Sequence, residues 1–130
     1  MGIKFIPLQI VPLLHSDLVS RFGGSPAIRD RNSLEFALSQ PKAKFDGKYV
    51  HQTIFAKAAA YGFHIARNLP YVDGNRRLAL VLMDIFLQLN RRNLAAPEQD
   101  AYAVMMKLAA GRLSKSELAA WLKSNCTHIK

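Results

Sequence analysis

One ten-residue stretch, Asn68-Leu69-Pro70-Tyr71-Val72-Asp73-Gly74-Asn75-Arg76-Arg77, lies between two apolar segments with helical periodicity. Pro70 cannot continue a helix, because its ring clashes with the preceding turn and it lacks an N–H. It also disfavours the helical conformation at Leu69. Asp73, Gly74 and Asn75 are typical turn residues, and either Gly74 or Asn75 can cap the following helix. The stretch therefore predicts a turn between two long helices.

The same turn carries groups that suit an anion. Backbone N–H groups at a helix start attract negative charge, and Arg76 and Arg77 add two positive charges there. Asp73 supplies a carboxylate on the same turn. This combination suits a phosphate accompanied by a divalent metal. An ordinary Asp-Gly turn before a basic helix start has the same spacing, so the residues alone leave both interpretations open.

The stretch resembles the signature loop of the Fic/Doc family, which reads His-Pro-Phe-x-Asp-Gly-Asn-Lys/Gly-Arg. The positions that match this pattern are Pro70, Asp73, Gly74, Asn75 and Arg77. Tyr71 is a conservative replacement for the Phe, and Arg76 for the Lys of the Doc branch. Leu69 stands where the family has its catalytic His. The resemblance extends to residues 21–30, 56–61 and 117–122, and so covers nearly the whole chain.

The resemblance implies a nucleotide site that takes ATP as substrate together with Mg²⁺. Asp73 would bind the metal, directly or through water. Gly74 and Asn75 would present anion-binding amides, with the Asn75 side chain on a phosphate. Arg76 and Arg77 would pair with phosphate oxygens, for which arginine offers a planar, bidentate donor. The implied catalytic positions are Leu69, Asp73, Asn75 and Arg77.

Leu69 would disable such a site. In the family the His accepts a proton from the attacking hydroxyl, and Leu69 has no lone pair with which to do so. Loss of a general base typically costs about 10²–10⁴-fold in rate. The chain is then either an inactivated variant of a toxic enzyme or a natural member that only binds. The intact remainder of the motif favours the first interpretation.

The other histidines offer no clear substitute. His64 lies five residues before Leu69, and about 500° of helix rotation points it away from that position. His51 starts the helix that leads into the motif and could reach the cleft, although nothing in the sequence requires it. His15 and His128 are interpreted as surface residues.

The Doc branch implies a toxin of a toxin–antitoxin system. Such a toxin transfers phosphate from ATP to a hydroxyl of elongation factor Tu, whereas Fic relatives transfer AMP. The short chain and Arg76 favour phosphate transfer. The inhibitory pattern Ser/Thr-x-x-x-Glu-Gly/Asn of many Fic proteins is missing from the sequence, which favours a separate antitoxin chain as the inhibitor. The alternatives are an AMP-transferring Fic enzyme and a pseudo-enzyme that binds nucleotide or antitoxin without chemistry.

Composition fits a single domain over residues 1–130. Half of the residues are hydrophobic, so a packed core is expected. A net charge of +9 favours an acidic partner. Direct nucleic-acid binding is disfavoured, because no helix-turn-helix or aromatic platform accompanies the charge.

The apolar run at residues 78–89 is too short to span a membrane. The one cysteine, Cys126, and the lack of a secretory signal fit the cytoplasm.

The periodicity predicts a mainly α fold, a compact Fic/Doc-type bundle of about six helices with a small β-hairpin. The helices are expected at residues 11–22, from 30 or 32 to about 39, 51–68, 75–90, 98–110 and from 114 onward. Residues 1–10 are expected to be extended and residues 126–130 frayed. The family resemblance makes the hairpin a flap that docks the target, formed by Lys44, Phe45, Asp46, Gly47 and Lys48.

Overall fold

Two long helices, α3 (Ile54–Asn68) and α4 (Asn75–Leu89), form the centre of the fold in the computed structural model, which describes residues 2–129. The buried side chains of α4 are Asn75, Leu78, Ala79, Leu82, Met83, Phe86 and Leu87. The two helices approach closely because α3 presents small residues. At Gly62 there is no room for a Cβ atom, which would collide with the Met83 side chain.

The remaining helices are α1 (Val11–Phe22), α2 (Arg31–Ser39), α5 (Glu98–Ala109) and α6 (Lys115–Ser124). Helices α2 and α6 pack on α3, α1 packs on α4, and α5 contacts both central helices. Asp30 caps α2 by accepting a hydrogen bond from Ser33 N at 3.1 Å. Ser114 and Glu117 form the reciprocal capping box at the start of α6. The predicted six-helix, mainly α fold is confirmed.

The predicted hairpin is also confirmed, with β1 (Lys44–Phe45) antiparallel to β2 (Lys48–Tyr49). Both turn residues have positive φ, 53° at Asp46 and 78° at Gly47, as a type I′ turn requires. Phe45 projects from the hairpin with 80% of its surface exposed. Lys57 of α3 fixes the hairpin base. Its buried Nζ donates to His51 O at 2.7 Å and lies 4.2 Å from the centre of the Tyr49 ring.

Three segments differ from the sequence-based expectation by more than one residue. Helix α3 begins at Ile54 and not at residue 51, because the Thr53 side chain accepts from Ala56 N and caps the helix there. Within the expected extended arm, Leu8–Ile10 form a 3-10 helix. The predicted fraying after residue 125 is wrong for the described residues, because β4 (Cys126–His128) pairs with β3 (Arg92–Leu94). Met1 and Lys130 lie outside the described residues.

The buried face of α5 also differs from the prediction. The helical spacing of α5 predicts that Tyr102, Met105, Met106 and Ala109 point inward, but only Met105 of these is buried, together with Leu108. Helix α5 lies at the edge of the bundle and makes fewer contacts with the central helices than α6 does. The core covers only part of the apolar surface of α5, and the rest of that surface remains exposed.

Charged side chains contribute few direct pairs. In the part of the chain that the structure describes, one ion pair occurs, between Arg21 Nε and Asp17 Oδ2 at 3.1 Å on the surface of α1. Exposed pairs of this kind contribute little to stability. No helix among residues 2–129 has the length and apolar character needed to cross a bilayer.

Candidate functional site

The loop between α3 and α4 begins at Leu69, which ends α3 in the left-handed conformation with φ 51°. Leu69 lies at helical spacing from the buried Ile65, which predicts a buried side chain, but the residue is 46% exposed. Arg29 covers the open carbonyls of the helix end, donating to Asn68 O and to Leu69 O, each at 2.7 Å. Arg29 N also donates to Pro70 O at 2.7 Å. The segment after α1 therefore fixes the loop entry.

Asn75 fixes the middle of the loop from the first residue of α4. Its Oδ1 accepts from Tyr71 N at 3.1 Å, and its Nδ2 donates to Tyr71 O at 2.8 Å. Asn75 is buried. The resemblance implied an Asn75 side chain on a phosphate, but in this structure both of its polar atoms bind the loop backbone. These two hydrogen bonds suit a role for Asn75 in holding the loop backbone at Tyr71.

Asp73 lies at the exposed tip of the loop. Its Oδ2 accepts from Ser25 N at 2.7 Å, and its backbone carbonyl accepts from His15 Nε2, also at 2.7 Å. Within residues 2–129 no group of three or more His, Cys, Asp or Glu side chains could hold a metal. Mg²⁺ is commonly held by one carboxylate together with phosphates and water. Asp73 fits that manner of binding through its Oδ1.

Gly74 is the N-cap residue of α4 with φ 83°, and within residues 2–129 no side chain accepts a hydrogen bond from the first N–H groups of the helix. These groups and the helix dipole favour an anion at this position. The two arginines that follow are exposed and diverge. Arg76 Nη1 contacts Met106 Sδ of α5 at 2.6 Å. The Arg77 guanidinium lies 4.2 Å from the centre of the Phe22 ring of α1.

The prediction that His15 is a surface residue is wrong, because only 1% of the residue is exposed. Its ring stacks on Tyr71, with centres 3.5 Å apart and planes inclined by 12°. His15, Ser25 and Arg29 also belong to the site, although the sequence did not predict them as parts of it. The likeness of residues 21–30 to Doc-type toxins was a signal for Ser25 and Arg29, whereas His15 lies 58 positions from its partner.

His64 and His51 lie near Lys115 of α6, and within the described residues neither forms a hydrogen bond with the loop. Burial, and then the nearby Lys115, lower the pKa of His64 to about 4. Lys115 Nζ lies 3.0 Å from His64 Nε2. Burial likewise lowers the pKa of His51, with Lys115 as the next cause. The Nδ1 atom of His51 is buried and lacks a hydrogen-bond partner within the described residues.

The lowered pKa of His64 predicts that acid weakens the fold. The folded protein favours neutral His64, while the unfolded chain binds a proton near its ordinary pKa of about 6.5. The stability contributed by the neutral ring is present above about pH 6.5 and is lost as the pH falls towards about 4. Melting temperatures across this range should fall less steeply in His64→Gln than in the parent. The exposed His128→Gln variant should retain the parent slope, and equal slopes in all three proteins would contradict the prediction.

Comparison with known proteins assigns the chain to a family. The sequence of residues 5–87 matches the model of the family described as Fic/DOC. That is more than half of the chain, so the protein belongs to the Fic/DOC family. The chain is also similar to Toxin Doc of Mycolicibacterium smegmatis (strain ATCC 700084 / mc(2)155), with 39% identity over 75 residues. The match covers 58% of each chain, less than two thirds of that relative's length.

Proposed function

We propose that the protein is a Doc-like toxin of a toxin–antitoxin system whose loop, residues 69–77, binds ATP with Mg²⁺. The observation that carries the proposal is the start of α4 beside Asp73, where no described side chain accepts from the first N–H groups, in a chain 39% identical to Toxin Doc over the matched region. The resemblance of the signature loop to the Doc branch extends the proposal to a target, the translation protein elongation factor Tu, and to a cytoplasmic location. The inhibitor is a separate antitoxin, whose acidic surface the +9 charge would attract.

In this proposal the N–H groups of Gly74, Asn75 and Arg76 bind phosphate oxygens, and Arg77 adds a charged donor. Asp73 would hold Mg²⁺, which neutralises phosphate charge. A target hydroxyl oxygen then bonds to the γ-phosphorus, the bond from that phosphorus to the bridging oxygen breaks, and ADP leaves. The hydroxyl proton needs an acceptor. Leu69 stands at the position of the family His and cannot accept it, so the reaction in this chain is slow.

The hairpin is proposed to dock the target. Its strand β1 has one edge paired with β2, and an extended segment can add to a free edge through backbone hydrogen bonds. The exposed Phe45 offers an apolar contact, while Lys44 and Lys48 favour an acidic segment. Lys57 keeps the hairpin base in place under Tyr49.

Loss of the Arg77 side chain should weaken nucleotide binding. A hydrogen bond to a charged group contributes about 1.5–3 kcal/mol, so Arg77→Ala should raise the Kd for ATP about 10–150-fold. Arg77→Lys should have a smaller effect, since it keeps the charge and loses the bidentate geometry. Isothermal titration calorimetry with ATP and Mg²⁺ measures both. Lys123→Ala on α6 is the control that removes one charge elsewhere, and an equal loss there would show a general charge effect.

ATP labelled separately at the α and γ positions tests the reaction. Each label is incubated with elongation factor Tu and either the parent protein or Leu69→His. Transfer of the γ label supports the phosphate-transferring toxin, and transfer of the α label would assign the protein to the AMP-transferring branch. No transfer by either form, with ATP still bound, would favour the second candidate, a pseudo-enzyme. The exposed Leu69 side chain, which has no lone pair, is the observation that favours that candidate.

A further inference from the structure

A buried histidine outside the signature loop contacts the loop at its tip. His15 Nε2 lies 2.7 Å from the backbone carbonyl oxygen of Asp73. A carbonyl oxygen can only accept, so Nε2 carries the proton and donates it. The ring is also fixed from the side by its stacking on Tyr71. The loop therefore fixes both the position of the Nε2 donor and the orientation of the imidazole ring.

The direction of the Asp73 carbonyl determines the direction of the next amide. The peptide between Asp73 and Gly74 is planar, and no cis peptide occurs among the described residues. In a trans peptide the C=O and N–H groups point to opposite sides. Because the carbonyl points at the buried His15, the Gly74 N–H points away from it.

This peptide needs a fixed partner, because glycine leaves it free to rotate. Gly74 has φ 83°, a conformation that glycine adopts without cost, and it accepts alternative conformations equally well. The hydrogen bond from Ser25 N fixes the Asp73 side chain and leaves the peptide group free. A Cβ on Gly74 would lie 3.3 Å from His15 Nε2, so the histidine also closes the space behind the turn.

We propose that His15 is a positioning residue of the nucleotide site: its hydrogen bond to the Asp73 carbonyl keeps the Gly74 N–H directed at the bound phosphate. The proposal rests on the proposed nucleotide-binding function. His15 does not touch the nucleotide, and it acts through one peptide group. Its loss lets the Asp73–Gly74 peptide rotate and removes one anion-binding amide.

Two substitutions distinguish the effect of the hydrogen bond that His15 donates from the effect of its ring packing on Tyr71. His15→Phe keeps an aromatic ring against Tyr71 and removes the donor, while His15→Gln supplies a side-chain N–H in its place. The probes are ATP with Mg²⁺ and inorganic pyrophosphate. The loss of one anion-binding hydrogen bond predicts an affinity about tenfold weaker in His15→Phe. Affinity should recover most of the way in His15→Gln. His64→Phe, at a half-buried histidine that contacts Lys115, is the matched control.

A second measurement does not depend on ligand binding. The backbone ¹⁵N–¹H resonance of Gly74 should shift in His15→Phe and return towards the parent position in His15→Gln. Parent-like ATP affinity or an unmoved Gly74 resonance in His15→Phe would overturn the proposal. So would equal losses in both variants, which would show a packing role alone. A parent protein that binds neither probe would refute the proposed nucleotide site, and the Gly74 resonance would still decide whether His15 orients the peptide.

Discussion

The Leu69→His variant is expected to transfer phosphate about 10²–10⁴ times faster than the parent protein, because it places a general base beside the proposed nucleotide site. The backbone already suits this replacement. Leu69 has φ 51°, and histidine occurs in this left-handed region more often than most residues other than glycine. The leucine side chain is largely exposed, so its removal costs little burial. Single-turnover kinetics at saturating ATP measure the gain.

Leu69→Asn is the matched control for this gain. Asparagine also tolerates the left-handed conformation, but its amide is too weak a base to accept the proton. The control should therefore fold, bind ATP like the parent and remain slow. A Leu69→His protein that binds ATP and target but reacts no faster than Leu69→Asn would contradict the assignment of this position to the general base.

The Phe86→Ala variant is expected to lose about 3–5 kcal/mol of unfolding free energy, the usual cost of deleting a fully buried aromatic ring. Phe86 lies in α4 with none of its surface exposed. Its ring centre lies 5.3 Å from that of Tyr61 in α3 and 5.8 Å from that of Phe5. The substitution thus opens a cavity where both central helices and the N-terminal arm meet. Urea denaturation monitored by circular dichroism measures the loss.

Phe45→Ala provides the matched deletion at an exposed position. Because the Phe45 ring lies on the hairpin surface, its removal should change the unfolding free energy by no more than about 0.5 kcal/mol. If the hairpin docks the target, Phe45→Ala should weaken target binding while the fold remains intact. Similar stability losses in Phe86→Ala and Phe45→Ala would contradict the packing described for the core.

Features determined by neighbouring residues could be predicted from the sequence. The caps at Asp30 and Ser114 each depend on a backbone N–H three residues away. The Asp46-Gly47 turn depends on the conformational freedom of its own two residues. The loop after Pro70 follows from proline sterics and the turn residues beyond it. These are short-range effects, and the residue types alone carry them.

Features determined by distant partners could not be predicted in the same way. His15 is buried because Tyr71 and Asp73, which lie far along the chain from it, pack against its ring. The pairing of Arg92–Leu94 with Cys126–His128 joins two short segments that lack the alternation typical of strands. The exposed face of α5 depends on where the bundle ends. In the candidate site, the sequence identified the loop residues, and the structure added the three neighbours that hold the loop.

The hairpin has a consequence for how copies of this protein meet at high concentration. Strands β1 and β2 form a two-stranded sheet, so each has an open edge, and such edges can pair with the same edge of another molecule and start aggregation. Lys44 and Lys48 lie on these edges. Two hairpins placed side by side would bring four lysines together with no acidic side chain in either strand. Repulsion between these lysines therefore opposes the pairing of two hairpins, whereas an acidic segment would be attracted to the same edges.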